Sequence, residues 1–342
     1  MKPASDADDN LPDDRAYALW FPAANTCELR HEKLPSLGTD DVLVETLYSG
    51  ISRGTEALVF NGKVPEAEWQ RMRAPHMGGD FRFPVKYGYA LVGRIAKGPP
   101  ALLGRHVFSL HPHQSAFVSP SDALSALPDD LPPARAVLSA NMETALNIVW
   151  DANVLPGDRV AVLGAGVVGA LTAFIARGIP GTEVVLVDAN AARETLANRL
   201  NIDFAKAGTL SGEFDVLINA SASGEALSEA LALAAFEARI VEASWYGDSL
   251  LHLPLGGAFH SKRLSLISSQ VGAVPPGRRA RWPFARRLAK AMQLLRDDRL
   301  DALISGETPF ERIVDAYPTV LSDPGTLCHR ICYTRNPAHV CS

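Results

Sequence analysis

The sequence predicts an α/β protein built from a β-rich domain and a doubly wound parallel sheet. Three observations carry that expectation. A strand, glycine turn, helix and second strand can be read from Arg159 to Asp188. Strand-like and helix-like segments alternate from there to Gly272, as in a parallel sheet covered on both faces. Ahead of Trp150, short apolar runs are broken by turn residues, as in an irregular β-rich region. At 342 residues the chain also exceeds the roughly 250–300 residues over which one core usually grows, so two domains are expected.

The central unit reads RVAVLGAGVVGALTAFIARGIPGTEVVLVD. Four apolar residues, Val160 to Leu163, run into Gly164, Gly166 and Gly169. In such a βαβ unit the first glycine allows the tight turn and the second lets backbone N–H groups approach a pyrophosphate. The third lets the helix pack closely on the strand. The phosphates would then sit at the positive helix end, beside Val167 and Val168. Asp188, 24 positions after Gly164, is placed to accept hydrogen bonds from the adenosine ribose. A 2′-phosphate would meet that carboxylate, which favours NAD over NADP.

Composition sets outer limits. Hydrophobic residues make up 47% and charged residues 21% of the chain, enough for two cores. A net charge of −5 and a pI near 6.0 give no general attraction to nucleic acid or anionic membrane. No apolar run reaches the roughly 20 residues of a membrane span. Cys27, Cys328, Cys332 and Cys341 form no CxxC pair, which fits a reducing cytosol and argues against a disulfide framework. Residues 1–14 are polar and acidic, unlike a signal peptide, and are expected to be a disordered leader.

In chain order, YALWF and VLVETLYS are strand-like runs separated by Pro22, Pro35, Gly38 and Asp40. SGISRGTE, residues 49–56, combines two glycines with hydroxyls, an arginine and a carboxylate, and suits either a solvated turn or a site. The Arg-rich passage from Gly62 to Pro84 reads as a surface helix followed by a loop. FPVKYGYALVGRIAKG reads as a strand pair with Gly88 and Gly93 at bends or close approaches. In GRHVFSLHPHQSAFV, His111 and His113 sit where a strand ends. Pro132 to Trp150 has apolar residues at helical spacing, interrupted by Asn141, Glu143 and Thr144. Five or six strands follow between Arg159 and Gly272, and RRLAKAMQLLRDDRL is an amphipathic helix.

These pieces together resemble the medium-chain dehydrogenase/reductase superfamily, and the resemblance implies a GroES-like catalytic domain at 15–151 and 276–342 with an inserted NAD-binding Rossmann domain at 152–275. The carrying residues are SGISRGTE at 49–56, GYALVGRI at 88–95, GRHVF at 104–108, PGDRVAVLGAGVVG at 156–169 and LDALISGETPFERIVDAY at 300–317. Within the superfamily SGISRGTE most resembles the branch that includes the bacteriochlorophyllide a hydroxyethyl dehydrogenases. Zinc members place a cysteine in the first motif, a histidine and glutamate in the second, and a cysteine or acid near the entry helix. The corresponding positions here are Ser52, Tyr89 with Ala90, and Ala140, none of which suits a catalytic zinc. No cysteine lies between Val107 and Ser139, so the four-cysteine structural lobe is absent too. No metal is expected.

The resemblance implies a cleft lined by residues 52–56, Tyr89, His111 and Glu143 with Thr144. Tyr89 carries a phenol able to donate to a carbonyl, or is a strand tyrosine with its hydroxyl at the surface. By intrinsic pKa either His111 or His113 within HPHQ suits an acid/base, or either is a satisfied histidine at a strand end; the resemblance favours His111, which it puts at a substrate-pocket position. Thr55 corresponds to a proton-relay hydroxyl. Glu56 and Glu143 either orient Tyr89 or a water, or are solvated carboxylates. Arg53 matches a pyrophosphate contact. Ser221 and Ser244 or Trp245 follow strand ends and are candidate neighbours of ribose and nicotinamide. Lys262 and Arg263 form either a solvated turn or a contact for an acidic substrate.

The expected function is zinc-independent, NAD(H)-dependent interconversion of an alcohol and a carbonyl on a small-molecule substrate, in the cytoplasm. The nearest alternative is an enone or quinone reductase. From another class comes a non-catalytic dinucleotide-binding scaffold or redox sensor, which gains if Tyr89, His111 and Glu143 do not converge. The resemblance also implies a homodimer joined through RLSLISSQVG at the Rossmann sheet edge.

Overall fold

A computed structural model describes residues 15–333, so the acidic leader and the last nine residues lie outside the described chain. The first part holds β1 (Arg15–Phe21), β2 (Glu28–Lys33), β3 (Asp41–Ile51), α1 (Arg53–Phe60), β4 (Gly78–Gly79), β5 (Val85–Lys86), β6 (Leu91–Lys97), β7 (His106–Ser109), β8 (Ala116–Pro120) and β9 (Ser125–Ala126). Then come α2 (Pro133–Ala136) and α3 (Ser139–Ala152). The second part holds β10 (Arg159–Leu163), α4 (Val167–Arg177), β11 (Glu183–Asp188), α5 (Glu194–Arg199), β12 (Asp203–Lys206), β13 (Phe214–Asn219), α6 (Gly224–Leu233), β14 (Ala234–Glu242) and β15 (Ser265–Ser268). The chain returns through α7 (Pro276–Arg279), α8 (Phe284–Leu294), β16 (Ile304–Pro309), α9 (Ile313–Ser322) and β17 (Cys328–Cys332).

The six strands β10 to β15 form one parallel sheet in the order β12-β11-β10-β13-β14-β15. That order reverses between β10 and β13, which makes their carboxyl ends the topological switch point where a ligand crosses such a sheet. The flanking part has a sheet in the order β16-β17-β3-β6-β7-β9 with β8 beside β3, and a small sheet β2-β1-β5-β4. β17 pairs with β3 on one side and β16 on the other, so the end of the chain returns to the sheet of the first part.

α3 links the two parts. Eleven of its residues are buried, on every side, because apolar groups from β6 and β7 (Val92, Phe108) and from β10 and α4 (Val160, Leu171) share one cluster around it. A helix buried all round has no solvated face for polar side chains. Asn141, Glu143 and Asn147 must therefore find protein partners, or their burial would cost several kcal/mol on the order given for unpaired polar groups.

Two expectations change. The Gly62–Pro84 passage is mostly turns, its only helical element a single 3₁₀ turn at Glu66–Glu68, because Pro65, Pro75 and Gly78-Gly79 interrupt any longer helix. Cys332 is disulfide-bonded, where the cysteine pattern points away from such bonds, whereas Cys27 and Cys328 are free. Among the described residues no helix is long and apolar enough to cross a membrane.

Candidate active site

The glycine turn has the geometry its sequence demands. Gly164 sits at φ +106°, a conformation L side chains rarely adopt, and a Cβ there would lie 2.8 Å from Ala220 backbone atoms. A Cβ on Gly169 would lie 1.9 Å from the Gly164 carbonyl oxygen, so helix and turn touch. Gly166 caps α4 and has open space where its Cβ would be. The N–H groups of Val167 and Val168 in the first turn of α4 face that space with the helix dipole behind them. These residues fit the pyrophosphate of a dinucleotide.

Asp188 ends β11 beside this turn. Its carboxylate accepts the Ala165 N–H at 2.7 Å and the Asn190 N–H at 2.8 Å, and keeps lone pairs for further donors. Arg193 stands close by, held by the Pro324, Gly325 and Thr326 carbonyls. Burial lowers the Arg193 pKa, Asp188 opposes that effect, and the neighbouring Arg53 charge adds to it. Arg53 stands at the start of α1.

At the ends of β13 and β14 a polar knot forms. Asn219 Nδ2 donates to Glu242 Oε2 at 2.8 Å and meets the Tyr246 hydroxyl at 2.9 Å, while Ser221 donates to Asn219 Oδ1 at 2.6 Å. Ser244 Oγ accepts the Ala222 N–H at 2.9 Å. Ser221 and Ser244 thus shape the strand ends, and Asn219, Glu242 and Tyr246 are members that sequence reading missed. Trp245, from the same loop, packs into the catalytic-domain core with Phe21 and Phe60.

A second polar group, of hydroxyls, forms in the first part of the chain. The Tyr89 phenol stands beside the Ser52 and Thr55 hydroxyls, which lower its pKa, and Asn141 Nδ2 donates to Ser52 Oγ at 3.3 Å. Burial, partly offset by these hydroxyls, pushes the Tyr89 phenol up to about 12, so it is a neutral donor at ordinary pH. Beneath the cluster Glu56 is fully buried. Its Oε1 accepts the Ser52 N–H at 2.7 Å, and its Oε2 is hydrogen-bonded to His113 Nε2 at 2.9 Å and accepts from the Tyr317 hydroxyl at 2.5 Å. His113 Nδ1 is hydrogen-bonded to Ser49 Oγ at 2.8 Å. The same imidazole lies against Gly88, where a Cβ would come within 3.0 Å of the ring and φ is +120°. One carboxylate therefore braces Ser52 directly and the Gly88–Tyr89 backbone through His113.

The remaining candidates do not join this cluster. His111 stacks on Phe117 with ring centroids 4.1 Å apart and bonds the Pro112 carbonyl through Nδ1 at 2.9 Å. Burial pushes its pKa down to about 3, which keeps it neutral. Glu143 faces Arg287, with Arg287 Nε donating to its Oε1 at 3.0 Å, rather than Tyr89. Its pKa is raised by burial against the pull of Arg287. Lys262 pairs with Glu213 at 2.7 Å and Arg263 with Glu237 at 2.8 Å, so the solvated-turn reading describes them. Of Tyr89, His111 and Glu143, only Tyr89 stands in the hydroxyl cluster.

A zinc does not fit these donors. Ser52, Thr55, Tyr89 and Asn141 offer hydroxyl and amide oxygens, not the thiolate, imidazole and carboxylate set that holds a catalytic zinc. Among the described residues no three His, Cys, Asp or Glu side chains group to hold a metal.

Known proteins were compared with this geometry in view. No family model matches the sequence. D-xylulose reductase A of Aspergillus oryzae is 35% identical over 83 residues, 24% of this chain and 23% of that protein. L-threonine 3-dehydrogenase of a Chelativorans species is 24% identical over 203 residues, covering 49% of this chain and 55% of that one. The chain thus spans about a quarter to about half of the curated relatives' lengths. Solved structures match over nearly the full length. A short chain alcohol dehydrogenase of Escherichia coli CFT073, solved with NADH, superimposes with a TM-score of 0.74 at 17% identity, covering 94% of this chain and 99% of that one. A putative zinc-binding dehydrogenase of Sinorhizobium meliloti bound to NADP gives 0.72 at 19% identity, covering 94% and 100%. The fold is the one that these solved dehydrogenases have. The glycine turn of this chain lies in the part of that fold which the sequence assigned to the dinucleotide.

Proposed function

We propose that this chain is a zinc-independent, NAD(H)-dependent oxidoreductase that interconverts an alcohol and a carbonyl compound. The observation that carries the proposal is the Tyr89–Ser52–Thr55 hydroxyl cluster, braced by Glu56, on the catalytic-domain side of a dinucleotide crevice. SGISRGTE supplies Ser52, Thr55 and Glu56, which also supports a place near the bacteriochlorophyllide a hydroxyethyl dehydrogenases.

A nicotinamide dinucleotide held by the glycine turn and Asp188 would supply or accept the hydride. Tyr89, neutral because burial raises its pKa, donates a hydrogen bond to the substrate oxygen and stabilises charge that develops there. Ser52 and Thr55 hold the phenol and connect it to neighbouring hydroxyls for proton exchange, while Asn141 fixes Ser52. The Asp188 carboxylate supports NAD over NADP, because a 2′-phosphate would meet its charge.

The test is turnover. Alcohol-dependent NAD reduction by protein stripped of metal with a chelator supports the proposal. NADH oxidation with enones alone would favour the double-bond reductase reading, since a neutral phenol polarises an enone carbonyl equally well. A second reading, a dinucleotide-binding scaffold, draws support from the positions of His111 and Glu143 outside the hydroxyl cluster. It predicts NADH binding without turnover of any alcohol, ketone or enone.

A homodimer through β15 is part of the proposal. β15 ends the six-stranded sheet, and an unpaired strand edge favours association about a two-fold axis. Light scattering that finds only monomer at micromolar concentration would remove this part.

A further inference from the structure

Three consecutive residues after β15 are each held by a different polar side chain. Ser269 Oγ donates to Asp151 Oδ2 at 2.7 Å, the Gln270 carbonyl accepts from Asn147 Nδ2 at 3.5 Å, and the Val271 carbonyl accepts from Arg287 Nη2 at 2.6 Å. Asn147 and Asp151 lie one turn apart on α3, and Glu143 precedes them by another turn on the same face. Arg287, on α8 and 2% exposed, completes the assembly through Glu143 Oε1 at 3.0 Å and Asn147 Oδ1 at 2.5 Å. A buried ion pair is weak evidence for stability, because desolvation offsets much of its attraction. This guanidinium instead directs its donors to two different elements: two successive turns of α3, at Glu143 and Asn147, and the backbone after β15.

The place of that backbone gives the arrangement its meaning. The glycine turn after β10 and Asp188 at the end of β11 face the adenosine half of a dinucleotide crossing the switch point. The other half must then extend over the carboxyl ends of β13, β14 and β15. Loops at such ends are ordinarily the mobile part of the sheet, yet Ser269–Val271 is pinned from beneath at each residue.

We propose that Arg287, acting with Asn147 and Asp151, is a positioning residue that holds Ser269–Val271 as the wall against which the nicotinamide half of the cofactor docks. The proposal rests on the dinucleotide reading above. It is tested with two variants, Arg287→Lys and the double variant R287M/E143Q. The second avoids leaving an unpaired buried carboxylate, which would be strongly destabilising. Both are titrated with NADH and with ADP-ribose, which lacks the nicotinamide, and hydrogen exchange is followed over 268–273. The expected result is a loss of NADH affinity of roughly tenfold or more, since small displacements of a positioning group have such effects. ADP-ribose affinity stays unchanged and exchange at 269–272 quickens. Equal weakening of both ligands would mean a merely structural role and overturn the proposal, as would unchanged NADH affinity in both variants. A wild-type protein that binds neither ligand would instead overturn the dinucleotide reading, and this inference with it.

Discussion

The Glu56 carboxylate reaches back along its own helix to accept the Ser52 amide at 2.7 Å. Its second oxygen meets His113 and Tyr317, so every polar edge of a fully buried acid is satisfied. Glu56→Gln replaces one acceptor oxygen by a donor amide that must face either a backbone N–H or the Tyr317 hydroxyl. We expect a stability loss of about 1–3 kcal/mol, the cost of one buried unsatisfied group, measured by urea unfolding. Turnover should fall as well, because Ser52 and Gly88–Tyr89 lose their common brace. Wild-type stability in this variant would contradict the bracing role.

Tyr89→Phe removes the phenol while leaving its ring between the two cores that it touches. A drop in kcat/KM of roughly 10²–10⁴-fold, typical of a lost acid/base group, is expected with NADH affinity intact. With the phenol at about 12, the wild-type profile should show no Tyr89 limb between pH 6 and pH 9.

His111 leads to a stability prediction rather than a kinetic one. Burial holds its folded pKa at about 3, below the roughly 6.5 of an unfolded histidine. The unfolded chain therefore binds a proton that the folded chain refuses. The stabilising difference is present above pH 6.5 and is lost as the pH falls from there through 3. His111→Asn should flatten the pH dependence of the urea midpoint across that window and change kcat by less than the roughly 10²-fold of the smallest acid/base contributions.

Gly166 and Gly169 should separate binding from folding. An alanine at Gly169 would put a Cβ 1.9 Å from the Gly164 carbonyl, so Gly169→Ala should lower the melting temperature clearly. Gly166 has nothing within 4 Å of its Cβ position and a φ of −74° that alanine accepts. Gly166→Ala should melt like wild type yet bind NADH more weakly, as the methyl group takes space at the helix terminus. Calorimetry and an NADH titration check the pair.

What was legible in the sequence follows from how local each constraint is. The Gly164–Asp188 unit could be read because its demands, a left-handed turn and a close helix, act within a few residues of each glycine. The hydroxyl cluster was legible by resemblance only, since Ser52, Tyr89 and Asn141 meet through β3, β6 and the docking of α3. Within HPHQ nothing local separates the two histidines. Glu56, 57 positions away, claims His113, while Phe117 and the Pro112 carbonyl occupy His111. Glu143 read as a helix carboxylate beside the cleft because its partner, Arg287, lies 144 positions further on.

α3 contributes at once to the packing of both sheets. Neither half of the molecule can be excised with its core whole: a fragment ending before Ser139 strips β6 and β7 of their cover, and one beginning at Arg159 strips β10 and α4. The two domains are a division of labour rather than of stability. Heat should accordingly melt the chain in one calorimetric transition, with no temperature at which the nucleotide-binding sheet survives alone.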